Sequence, residues 1–139
     1  MDIQITIVDP VTGVVSLGLT NYPKKLIGID LLAQITALKM LKTWDQDVFD
    51  PQEGTNFRQY IGQYNFAEND FEEVRLLVVS QIKKVEQDII AEQGTNIGTP
   101  AERLSQLRLL DVAGDPASGS IAVRVQIINE AGGTRDLVV

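Results

Sequence analysis

The chain has no cysteine and no histidine. Without cysteine there are no disulfides, thiolate nucleophiles or cysteine metal sites, so the fold holds without covalent staples. Without histidine the commonest general base, the commonest transition-metal ligand and the usual charge switch near neutral pH are missing. Any enzyme built from this chain works with carboxylates, lysine, tyrosine or hydroxyls. Aromatic residues are also few, at 6%. No apolar run is long enough to cross a bilayer. The opening MDIQITIVDP carries an acid at position 2 and no basic segment before an apolar run, which is not signal-peptide chemistry. Basic charge is in short supply too: 12 Lys and Arg face 19 Asp and Glu, a formal net charge of −7. That balance argues against nucleic acid and anionic membrane surfaces as main ligands, because both require a basic face.

What is present is a composition of folded domains, 44% hydrophobic and 22% charged. Its 139 residues suit one domain, 1–139, with one core. Ile3, Ile5 and Ile7 alternate with Gln4 and Thr6, the period of a half-buried strand. Turn chemistry at Asp9-Pro10-Val11-Thr12-Gly13 and a return strand at 14–19 make an opening β-hairpin. Asp30 is placed to cap a helix over 31–42, with Leu31, Ile35, Leu38 and Leu41 facing the core, Leu32 widening that stripe, and Gln34, Thr36 and Lys39 facing away.

An acidic, aromatic loop follows from Trp44 to Phe57, holding the only tryptophan together with Asp45, Asp47, Val48, Phe49, Asp50, Pro51, Glu53, Gly54 and Thr55. A short helical turn is expected at 57–61. Asp70 and Glu73 form a capping-box pair ahead of the longest helix, 71–92, with Phe71, Val74, Val78, Ile82, Val85 and Ile89 as its core stripe. Thr99-Pro100-Ala101-Glu102 predicts a short helix. Strands are expected at 108–112, 121–127 and 134–139, with a turn at 129–133. The order is strands, helices, strands. The fold class is therefore α+β: a small, mostly antiparallel sheet from the N-terminal hairpin and C-terminal strands, packed with two main helices and short helical turns.

Three chemistries compete for the acidic loop. Two of its carboxylates beside Trp44 would be the equipment of a glycan hydrolase, which needs two acids flanking a sugar. The spacing of Asp45, Asp47, Asp50 and Glu53 also suits oxygen ligation of calcium, but lacks the glycine and terminal glutamate of an EF-hand loop. Solvated acids that cap local turns are the plain alternative. Trp44, Val48 and Phe49 fit either a core or a protein-docking anchor. The apolar closing strand, if it lies at a sheet edge, can accept a strand from a partner.

The run from Leu32 to Asn56 resembles the wedge-protein family of contractile phage baseplates, the sheath-initiating, lysozyme-like wedge proteins with relatives in type VI secretion baseplates. Gln34, Leu41, Thr43, Asp47, Phe49, Asp50-Pro51, Gly54 and Thr55 match the family pattern in order. A long helix and C-terminal strands follow, as in the family. Two departures stand out. Trp44-Asp45-Gln46 replaces the usual Gly-Glu or Gly-Ser. The family's Glu-Pro-Arg motif is reduced to Glu86-Gln87-Asp88, so only Glu86 carries over.

The resemblance implies a structural, non-enzymatic virion protein of the tail baseplate, assembled in the host cytoplasm, with no cofactor. It implies six copies around the tail tube, joining larger baseplate wedge subunits and nucleating the first ring of tail sheath protein by strand interlocking, with tube or hub proteins nearby. On that reading the loop residues Trp44, Asp47, Phe49, Asp50, Pro51, Gly54, Thr55 and Phe57, and the face near Glu86, dock on wedge neighbours. The strands carrying Ile121, Val123, Val125, Ile127, Leu137 and Val138 offer an edge to the sheath. A peptidoglycan hydrolase and a strand-binding adaptor outside any virion are the alternatives.

Overall fold

The computed structural model describes residues 6–8, 11–17, 25–42, 68–94, 98–115 and 120–139. The loop 44–57 and the helical turn expected at 57–61 lie outside the described residues.

The elements are β1 (Thr6–Val8), β2 (Val15–Leu17), α1 (Gly28–Leu41), α2 (Glu68–Gln93), β3 (Leu104–Asp115), β4 (Ser120–Asn129) and β5 (Thr134–Val138). β3, β4 and β5 form an antiparallel meander with β4 at its centre. The fold is α+β, as the element order implies. Among the described residues the hairpin does not join that sheet as a full strand. β1 and β2 make their own two-stranded sheet, tied to β5 by a single parallel bridge between Val14 and Val138.

One core cluster draws on both helices and the meander. α2 supplies Val74, Val78, Ile82, Val85 and Ile89, five of the six positions expected from its spacing, the burial of Phe71 not being among what the structure describes. β4 supplies Val123, Val125 and Ile127 from one pleat face. α1 differs from expectation. Leu32 is buried as expected, but the rest of its buried side is Ala33, Thr36, Ala37 and Met40, with Gln34 and Lys39 also buried, whereas Leu31, Ile35 and Leu38 are only partly buried and Leu41 is exposed. The reason is that α1 is apolar nearly all round, so spacing alone does not choose a face. The alanines let it sit close to its neighbours, and the Thr36 hydroxyl donates to the Leu32 carbonyl at 2.9 Å. Lys39 runs its apolar stem through this contact and reaches the half-exposed Glu92, with Nζ 2.6 Å from Oε1.

Two helix starts also shift. α2 begins at Glu68, so Asp70 lies inside its first turn and not at the cap. α1 begins at Gly28, and Ile27 at its cap gives no side-chain bond. The Gly28 N–H instead donates 3.3 Å to Glu102 Oε1, a carboxylate from 74 residues away placed at the positive end of the helix. Asp30, third in the helix, pairs with Arg135 of β5.

The short helix expected after Thr99 is a turn. Glu102 N–H donates to the Thr99 carbonyl at 2.9 Å and Thr99 N–H to Glu102 Oε2 at 3.3 Å, so the capping chemistry forms without a helix behind it. The chain goes directly into β3, which is longer than the expected 108–112. Leu104, Leu107, Leu109 and Val112 pair with Asn129, Ile127, Val125 and Val123, and register shifts after Leu104 and Leu109 mark bulges at Ser105 and Leu110. Each bulge adds a residue. Inward positions on β3 are therefore spaced three, two and three, which blurs the strand period into a helical one.

Gly13 fixes how the hairpin meets β5. Its φ is +74°, and a Cβ there would stand 3.0 Å from the Asp136 carbonyl oxygen. Its own carbonyl accepts from the Val138 N–H at 2.7 Å. Gly13→Ala combines a disfavoured left-handed backbone with a collision against backbone, so a loss of about 2 kcal/mol is expected. Urea unfolding of the two proteins measures it.

Candidate docking edge

A three-stranded meander has two edges, β3 and β5, and unpaired edge amides are the groups another strand would recognise. The two edges are treated differently.

On β3, α2 closes the first part of the edge. Ile127 pairs with Arg135 on the β5 side, which turns Leu107 away from β4. Its outward N–H donates 2.7 Å to Glu86 Oε2, and Glu86 Oε1 accepts from Lys83 Nζ at 2.9 Å. Glu86 is only 7% exposed. Three positions earlier on the strand, Leu104 N–H donates 2.9 Å to Gln93 Oε1, and Gln93 Nε2 donates 2.9 Å to the Glu102 carbonyl. The bulges at Ser105 and Leu110 further break the register an incoming strand would need.

On β5 the outward groups are more open. Val123 and Val139 exchange two backbone bonds of 2.8 and 2.9 Å, and Asn129 N–H donates to the Gly133 carbonyl at 3.0 Å. Residues 133, 135, 137 and 139 thus turn their backbone groups to β4, while 134, 136 and 138 turn theirs out. Val138 is taken by Gly13. Thr134 and the N–H of Asp136 are the outward groups that remain without a strand partner among the described residues, the Asp136 carbonyl lying against Gly13. Beside them lies a cleft of about 320 Å³, lined by Val11, Thr12, Gly13, Arg124, Thr134, Arg135 and Asp136. Its rim is charged and ordered: Arg124 reaches Asp136 at 3.2 Å, and Gln126 Nε2 donates to the same carboxylate at 3.3 Å. The β4–β5 turn is held by Asn129, whose Oδ1 accepts from Gly133 N–H at 2.6 Å while Nδ2 donates to the Ala101 carbonyl at 3.0 Å.

The residues singled out from sequence divide into four groups. Val123, Val125, Ile127 and Leu137 are core side chains, each 4% exposed or less, and Ile121 is partly buried against them. They are corrected from docking residues to the packed face of the sheet, because their side chains on β4 and β5 point into the core shared with the helices. Val138 sits on the edge strand, with its N–H engaged by the Gly13 carbonyl. Glu86 is corrected from a docking face to an internal tether, because both of its oxygens are used within the chain. Trp44, Asp47, Phe49, Asp50, Pro51, Gly54, Thr55 and Phe57 lie outside the described residues, as do the loop carboxylates considered for catalysis or calcium. Sequence reasoning missed Thr134, Asp136 and Gln93. The polar alternation Thr134, Asp136 around apolar Leu137 was the available signal for the first two. Gln93 had none.

Among the described residues no cluster of three or more Asp or Glu is arranged to hold a metal ion, and no helix is long and apolar enough to cross a membrane. No protein-family model, curated protein or solved structure matches the chain.

Proposed function

We propose that this chain is a structural subunit of a contractile-tail baseplate that joins its partners through strand addition at β5. The observation that carries the reading is the asymmetry of the two sheet edges. α2 side chains and two bulges obstruct β3, while β5 keeps outward backbone groups at Thr134 and Asp136 beside a cleft. The sequence resemblance over Leu32–Asn56 supplies the assembly: a tail sheath protein takes the β5 edge, and larger wedge subunits take the acidic loop Trp44–Phe57. In a six-copy ring the same modest contact repeats, so individually weak edges add through avidity. The cargo is protein, the role is non-enzymatic, and the setting is the tail of a virion.

Thr134→Pro tests it. Proline is tolerated on an edge where the N–H faces away from the sheet, and it removes the donor a new strand would use. The variant should keep the thermal midpoint of the wild type but bind purified tail sheath subunit at least about tenfold more weakly, the loss of roughly one hydrogen bond and its register. Sheath binding equal to wild type at an unchanged midpoint would remove strand addition at β5.

A further inference from the structure

α2 has a second stripe, exposed to solvent on a different side from its core face. Val74, Val78, Ile82 and Val85 are buried, while Glu72, Leu76, Val79 and Lys83 are exposed. Leu76 is 69% exposed and Val79 46%, both large for apolar side chains on a helix. Lys83 keeps 64% of its side chain in solvent while donating to Glu86. The spacing four, three, four is that of a coiled-coil seam, with two apolar positions flanked by one acid and one base.

We propose that this stripe is a self-association face on which a second copy of the chain docks its α2 antiparallel. The charges decide both the occupant and the direction. In a parallel pair Glu72 meets Glu72 and Lys83 meets Lys83, which opposes association. In the antiparallel pair a two-fold axis between positions 77 and 78 brings Leu76 against Val79 of the second copy, twice. The same axis brings Glu72 against Lys83 of the second copy, twice. The stripe is thus its own complement, as an isologous contact requires. Two apolar layers are a small contact, well under the roughly 1,200 Å² typical of stable complexes, so the dimer is weak and its dissociation constant is on the order of 100 μM. This face is on α2 and uses none of the β5 groups, so it stands apart from the strand-addition reading.

Sedimentation equilibrium of the full chain over ~10 μM to ~1 mM should show a monomer–dimer equilibrium. Leu76→Asp should leave a monomer throughout, with far-UV circular dichroism unchanged. Glu72→Lys, which sets lysine against Lys83 of the second copy, should weaken the dimer about tenfold. The absence of native cysteine allows a register test by oxidation. A mixture of Leu76→Cys and Val79→Cys chains should cross-link between the two variants, and Leu76→Cys alone should cross-link poorly. A wild-type monomer over the whole range, a dimer that survives Leu76→Asp, or preferred cross-linking of 76 to 76 would each overturn the proposal.

Discussion

Replacing Glu86 with alanine is expected to lower stability by about 3 kcal/mol, a drop of roughly 10 °C in thermal midpoint. The size follows from what the side chain does. One carboxylate oxygen accepts from the Leu107 N–H at 2.7 Å in a buried setting. Hydrogen bonds to charged groups contribute roughly 1.5–3 kcal/mol, and a buried donor stripped of its acceptor costs about 1–3 kcal/mol. Glu86→Gln keeps an acceptor of nearly the same shape and should lose only about 1 kcal/mol. Lys83→Ala removes a mostly exposed partner of the same carboxylate and should change stability by less than ~1 kcal/mol. Urea denaturation of the three variants orders them. An alanine variant as stable as the lysine one would mean that the tether does not hold. The alanine variant has a second expected consequence. Leu107 N–H lies on the outward side of β3, so losing Glu86 opens an edge that α2 normally obstructs, and self-association at elevated concentration should rise.

The second large effect is at Leu137. It is fully buried on β5 and contacts the core that β4 shares with both helices. Leu137→Ala should lose roughly 3 kcal/mol, the transfer cost of the deleted methyl groups plus the cavity they leave. Its neighbour Val138 is only partly buried, on the other pleat face, and Val138→Ala should lose about 1 kcal/mol or less. The contrast matters for function. β5 is both a structural strand and a candidate docking edge. Deleting the strand removes Leu137 and with it the fold, so only substitutions at outward positions such as Thr134 separate docking from stability.

Much of this architecture was legible because its periods are clean. Val74, Val78, Ile82, Val85 and Ile89 repeat at helical spacing on α2, and all five are buried. Val123, Val125 and Ile127 alternate on a strand without bulges. Legibility failed where period carries no information or the wrong information. α1 offers apolar residues at almost every angle, so the face with two alanines was not distinguishable from the face with leucines. β3 hides its strand period behind two bulges, and Leu104 and Leu107 at spacing three resemble a helix. The Thr99–Glu102 capping pattern is locally sound, yet the chain behind it is claimed by β4, and tertiary pairing overrides a single helical turn.

The docking edge was half legible for a different reason. Edge or centre is a property of strand order, which local pattern does not encode. Apolar alternation marks Ile121, Val123, Val125, Ile127 and Leu137 strongly, and that same strength is what places them inward. The groups proposed for strand addition are backbone groups at Thr134 and Asp136, which side-chain chemistry marks only through the polar alternation around Leu137. Glu86 shows the converse. Its position on α2 is plain, but its partner is an amide 21 residues away on another element.

The most direct test of strand addition at β5 is amide hydrogen exchange, read residue by residue, with and without purified tail sheath subunit. In the free chain the amides of Arg135, Leu137 and Val139, which face β4, should exchange slowly, and those of Thr134 and Asp136 should exchange fast. Adding the sheath subunit should slow Thr134 and Asp136 selectively. Protection confined to other elements, or no change at these two amides in a complex that demonstrably forms, would contradict the account.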